Sequence, residues 1–172
     1  MFQENLTKEV ITHRLQPVIS TFEEEVVPQL VELLPDNRYT LDYAWMYSFE
    51  KQLKYRIQRL LGRKLTVRQA KILFGPGGVV SEAISNAFVH GHKKSRFIPI
   101  RVWATVSKMG LGFSITDKGP GFDIAEVQQT YSNGKRFFNI AGNGFSLFHQ
   151  SRDFSVCYQT RGTVLCIFYP LR

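Results

Sequence analysis

Cysteine is scarce in this sequence. Cys157 and Cys166 are the only two, each in an apolar, strand-like run and without the spacing of a metal-binding cluster. They read as buried thiols of a reducing compartment. Long apolar runs are missing as well. No stretch of about 18 apolar residues occurs, so no transmembrane span and no membrane insertion are expected. The N-terminus, MFQENLTKEV, mixes acidic and basic residues and does not resemble a secretory signal, so the expected location is cytoplasmic. Acid is short relative to base, with 14 Asp and Glu against 22 Lys and Arg and a net charge of +8. That imbalance favours an anionic partner. The basic residues lack an interleaved aromatic platform, which speaks against a nucleic-acid role. Neither an internal repeat nor a low-complexity tract is present. With 44% hydrophobic and 21% charged residues, the 172-residue chain suits one globular domain with a substantial core and an appended element.

The most informative stretch is Val79–Gly91, VVSEAISNAFVHG. At helical pitch Glu82 and Asn86 stack one turn apart, with His90 a further turn on, while Val80, Ala83, Ile84, Ala87 and Phe88 cover the other side. A carboxylate and a carboxamide in this relation suit hard-cation chemistry: the amide oxygen can ligate Mg²⁺ and the carboxylate can orient or deprotonate a nucleophile. Two glycine-rich turns follow. Asp117-Lys118-Gly119-Pro120-Gly121 comes right after the apolar run Leu111–Thr116, and Gly142-Asn143-Gly144-Phe145 opens a helical-looking segment. Glycine there lets backbone approach a ligand, and a helix N-terminus favours phosphate. Near the C-terminus, Gly162-Thr163-Val164 opens the last strand-like run.

The ordered set E-x-x-x-N-A-x-x-H, D-x-G-x-G, G-x-G resembles the ATPase superfamily shared by gyrase, histidine kinases and mismatch-repair ATPases, the GHKL type. Within it, Ser81–Ala87 followed by His90-Gly91 looks most like the small anti-sigma factor serine/threonine kinases. The resemblance covers about Arg38 to Tyr169. It implies a two-layer α+β sandwich of the histidine kinase-like (Bergerat) type, a mixed sheet covered by helices on one face. The expected division is an N-terminal helical extension, 1–37, and an ATP-binding domain, 38–172. The implied cofactors are ATP and Mg²⁺. Asp117 would read adenine, Gly119 and Gly121 would pass close to base and ribose, and Gly142 and Gly144 would bring N–H groups to the phosphates. Thr163 would help hold the adenine, Asn86 would hold the metal, and Glu82 would act as the base. Lys135 and Arg136, in the loop corresponding to the family's lid, are candidate phosphate contacts.

Along the chain, apolar residues Ile11, Leu15, Val18, Phe22, Val26, Leu30 and Leu33 recur every three or four positions. With Pro17 and Pro28 as breaks and a capping box at Thr21–Glu24, the spacing predicts two short amphipathic helices over 4–34. Arg38–Ala44 reads as an edge strand. A helix is predicted from Phe49 to Leu61, closed by Gly62, and another from the capping box Thr66–Gln69 to about Phe74. Pro76 is placed at the start of the next helix. Strands are expected over Phe97–Val106, Leu111–Thr116, Asp153–Gln159 and Thr163–Tyr169, with a loop over Gln128–Ala141 and a short helix over Phe145–Ser151. Between Lys51 and Lys71 stand eight basic residues and no acid.

Three functions compete. One is a serine/threonine kinase that phosphorylates or sequesters a protein partner, an anti-anti-sigma-like or sigma-like regulator, as the resemblance implies. Another is the ATP-binding module of a histidine kinase system acting in trans or on His13, whose Thr12–Pro17 setting has a faint phosphoacceptor look. The third is a module that uses ATP only as a conformational ligand. The intact Glu82 favours catalysis, and the lack of a full phosphoacceptor hairpin favours the first over the second. A homodimer is compatible with each.

Overall fold

The computed structural model describes residues 6–28, 44–93, 95, 97–126, 129 and 152–171. The helices α1 (Lys8–Arg14), α2 (Ala44–Leu61), α3 (Val67–Leu73) and α4 (Val79–Asn86) lie among them. Five strands, β1 (Val18–Val26), β2 (Ile100–Ser107), β3 (Gly110–Thr116), β4 (Ser155–Gln159) and β5 (Val164–Pro170), form one sheet in the order β1-β2-β3-β5-β4. The protein is thus α+β, with an open sheet and helices packed on it. Every ladder among the described strands is antiparallel, where a mixed sheet was expected. The reason is local: β2 and β3 are joined by the tight Lys108-Met109 turn and β4 and β5 by a single 3₁₀ turn, connections that only antiparallel neighbours can use.

Period-two alternation divides the sheet into two faces. Val102 and Ala104 of β2, Phe113 and Ile115 of β3 and Leu165 and Ile167 of β5 point to the main core. There they meet Leu53 and Ile57 of α2 and Val80 and Ile84 of α4, all essentially inaccessible to water. The Phe74 and Phe113 rings meet edge to face at 6.3 Å. α3 starts as its sequence predicts: the Thr66 hydroxyl accepts from the Gln69 N–H at 3.1 Å and the Gln69 side chain accepts from the Thr66 N–H at 3.0 Å. α2 begins five residues before the expected Phe49, because Trp45 and Met46 add to its apolar face. Gly62, at φ 66, ends it. Pro76 lies in the loop rather than in α4, whose N-cap is Gly78.

The opposite face is not bare, which corrects the expectation of helices on one face only. α1 lies across it, burying Ile11 and Leu15 against Trp103, Cys157 and Cys166. Cys157 and Cys166 are register partners on β4 and β5, both buried free thiols as expected, and burial pushes Cys166 up to about 11. The helix sits so close that a Cβ on Gly112 would stand 2.1 Å from the Ile11 Cγ2. Gly112→Ala should therefore cost about 1–3 kcal/mol, as overpacking does. Denaturant titration checks this, and the Gly112→Ala/Ile11→Ala pair should lose less than the sum of the single changes. Strict additivity would contradict the contact.

Among the described residues only the first of the two helices expected over 4–34 is present; Val18–Val26 is a strand. The spacing of Val18, Phe22 and Val26 fits both a four-residue helical repeat and a two-residue strand repeat, and tertiary pairing decides. Phe22 and Val26 turn inward opposite Ala104 and Ile100 of β2. On the other face Glu23 and Glu25 meet Arg101 at 3.3 and 3.7 Å. The Thr21 hydroxyl, expected as a helix cap, bonds the Thr105 hydroxyl across the ladder at 3.1 Å. His13 is exposed at the end of a seven-residue helix that leads into this strand, so the described part of the segment forms no helical hairpin. The edge strand expected at 38–44 (apart from Ala44, which opens α2), the loop at 128–141 (apart from 129), the helix at 145–151 and residues Leu30 and Leu33 lie outside the described residues.

Candidate functional site

α4 is fixed by its apolar side. Val79, Val80, Ala83 and Ile84 are buried, which leaves Glu82 and Asn86 half-buried one turn apart, as the spacing predicts. Burial pushes the Glu82 carboxyl above its ordinary pKa. After Asn86 the helix widens into a π turn, Ala87–Gly91, in which the His92 N–H donates to the Ala87 carbonyl at 2.9 Å. Such turns are rare and recur at functional sites. Here the turn carries Gly91 and His92 onto the loop that follows β3.

That loop is Asp117–Phe122. The Asp117 N–H donates to the Thr163 carbonyl at 3.0 Å, which ties the loop to the start of β5. Its carboxyl packs directly on Gly91, where an added Cβ would lie 2.5 Å from the Asp117 Cγ. Asp117 Oδ1 accepts from the Gly119 N–H at 2.7 Å, and the Lys118 N–H donates to His92 Nε2 at 2.9 Å. Desolvation raises the Asp117 pKa, opposed by the Gly119 N–H and by His92. Desolvation also lowers the His92 pKa, opposed by the Asp117 charge, and its Nε2 is the acceptor for the Lys118 N–H.

The glycines of this turn serve chain packing. A Cβ on Gly119 would lie 2.2 Å from the Gly91 carbonyl oxygen, and one on Gly121, at φ 72, would lie 2.0 Å from the Arg161 carbonyl oxygen. The Phe122 N–H donates to that same carbonyl at 2.7 Å. Three distant segments thereby meet without side chains between them.

Between them lies a cavity of about 180 Å³. That is more than ten times the roughly 10–15 Å³ needed for one water, so the cavity is ligand-sized rather than a packing void. Its apolar walls are Ala83, Ala87, Ile115 and Leu165; its polar groups come from Asn86, His90, Asp117 and Tyr158. Tyr158, on the inward face of β4, stacks edge to face on Phe122 at 5.0 Å. It lines the cavity together with Asn86, and burial drives its pKa well up, with the Asp117 charge adding to the effect.

Of the residues singled out from the sequence, Asn86, Asp117 and Gly121 line this cavity. Gly119 adjoins it beside Gly91. Glu82 sits one turn before Asn86 and is not among the lining residues. Thr163 is next to the site through its carbonyl, while its hydroxyl donates to the Thr160 carbonyl at 2.9 Å. Lys135, Arg136, Gly142 and Gly144 lie outside the described residues. No family model matches this chain, and neither does any curated protein.

The chemistry of the cavity fits a flat, largely apolar base. A single carboxylate at an apolar wall offers an acceptor to an exocyclic amine, a strong bond once water is excluded. Among the described residues no group of three or more His, Cys, Asp or Glu could hold a metal ion. Asn86 offers an amide oxygen at the cavity wall, a group able to ligate a hard cation. Sequence reasoning missed Phe122 and Tyr158. Alternation along Ser155–Gln159 places Tyr158 on the core side, but only the register of β4 against β5 sets it opposite the Asp117 loop.

Proposed function

We propose that the protein is an ATP-binding regulator, similar in action to anti-sigma factor serine/threonine kinases, that phosphorylates or sequesters a protein partner. The observation that carries this reading is the convergence of Asn86 from α4 with Asp117 and Gly121 from the loop after β3 on one ligand-sized cavity. Asp117 would accept from the adenine amine, and Ala83, Ala87, Ile115 and Leu165 would supply the apolar walls for the base. Bound Mg²⁺ neutralises charge on the phosphates. Asn86, which lines the cavity with Tyr158, would hold the metal. Glu82, with its raised pKa, takes the proton of the attacking hydroxyl. The test is transfer of label from γ-labelled ATP to protein in extract of the source cells, followed by acid treatment. Acid-stable phosphate on a partner is expected. Label that acid removes would favour phosphohistidine and overturn the serine/threonine assignment.

A further inference from the structure

The basic run Lys51–Lys71 has no part in the nucleotide site, and the structure sorts its members. Arg56 stacks 3.8 Å over the Phe22 ring and pairs with Glu24. Arg68 pairs with Asp153 at 3.0 Å, and Arg63 donates to the Lys64 carbonyl and to Gln69. Lys51, Lys54 and Lys71 differ: among the described residues no carboxylate forms an ion pair with any of them. These three surround an open depression of about 600 Å³ between α2 and α3, ended by Gly75 and Pro76. Tyr47, which is 46% exposed, and the buried Phe74 supply apolar surface within it.

Glu50 also lines the depression; its Oε2 accepts from the Gly75 N–H at 3.0 Å, and burial raises its pKa against the pull of that bond and of the Lys54 charge. Three lysines against this one carboxyl leave the groove net positive. The loop at its end leads straight into α4, whose first turn carries Glu82.

We propose that this groove docks an acidic segment of a protein partner, with carboxylates on Lys51, Lys54 and Lys71 and apolar side chains on Tyr47 and Phe74. The inference rests on the reading that the protein acts on a protein partner. Concavity and the apolar surface favour a peptide segment over the flat face of an anionic bilayer. Docking there would deliver a partner to the end of α4 that bears the candidate base.

The test is fluorescence anisotropy on the full chain with a labelled, end-blocked peptide alternating Glu and Leu. Lys51→Gln/Lys54→Gln/Lys71→Gln should weaken binding about tenfold or more at low salt, an effect that shrinks as salt rises. The charge-matched variant Arg59→Gln/Lys64→Gln/Lys108→Gln, altered outside the groove, should change it about twofold or less. Equal losses in the two variants would show attraction by net charge alone and overturn the proposal. So would displacement of the peptide by phosphatidylserine vesicles at concentrations where neutral vesicles do nothing. Mg-ATP affinity, measured in parallel, should be unchanged in the groove variant. Failure of wild-type protein to bind ATP would sink the nucleotide reading while leaving a groove-specific peptide loss intact.

Discussion

Glu82→Gln is expected to lower phosphoryl transfer by about a hundredfold while leaving Mg-ATP binding intact. Glu82 stands one turn before Asn86 on α4, outside the ring of residues that line the cavity, so the base and its pocket do not depend on it. Burial raises its pKa, which suits a group that must take a proton near neutral pH and give it up again. Glutamine keeps the shape and removes the basicity. Asn86→Ala should behave differently, weakening Mg-dependent binding and transfer together, because it removes a polar group from the cavity wall itself. Transfer to the partner at the wild-type rate by Glu82→Gln would remove that residue from the chemistry.

Asp117→Asn should show the complementary pattern, a loss of about ten- to a hundredfold in ATP affinity, corresponding to about 1–3 kcal/mol. The amide can still accept from the Gly119 N–H, but it no longer offers a charged acceptor to an amine and its NH₂ can face the ligand's donor. The free protein should respond in the opposite sense. Burial raises the Asp117 pKa, so this group favours the fold below the ordinary carboxylate range and loses that contribution as pH rises through its folded pKa. At neutral pH an ionised carboxylate is being held where the fold disfavours it. The variant should therefore melt no lower than wild type at neutral pH, and any advantage should vanish in acid. Calorimetric titration and thermal melts across pH read both effects from one protein. Lower stability at neutral pH with ATP affinity retained would contradict both.

The opposed outcomes at Asp117 reflect how the site is built, and also how much of it could be read in advance. Where the signal is local, sequence and structure agree: the Thr66 capping box forms with both of its hydrogen bonds, and the α4 spacing puts Glu82 and Asn86 where expected. The order of motifs also anticipates that Asn86, Asp117 and Gly121 share one cavity. Thr21–Glu24 has the same local form as a capping box, yet it is a strand, because Ala104, Arg101 and Thr105 of β2 offer its side chains better partners than a helix would. Nothing in Ala87–Gly91 announces a π turn; its widening serves contacts with Asp117 and Lys118 that lie more than twenty positions away. Tyr158 is hidden for a similar reason, since its meeting with Asn86 depends on strand register. The helix on the second face was unforeseen because its evidence is a glycine, Gly112, that only makes sense once Ile11 lies against it.

The central claim, that the cavity beside Asp117 takes an adenine nucleotide, is tested most directly by titrating the full chain with Mg-ATP and Mg-GTP in a calorimeter at neutral pH. Adenine presents an amine to the Asp117 carboxylate, whereas guanine at the same ring position presents a carbonyl that the carboxylate repels. The account predicts saturable one-to-one binding of Mg-ATP, with Mg-GTP weaker by about tenfold or more. Equal affinity for the two nucleotides, or no binding of Mg-ATP, would contradict it.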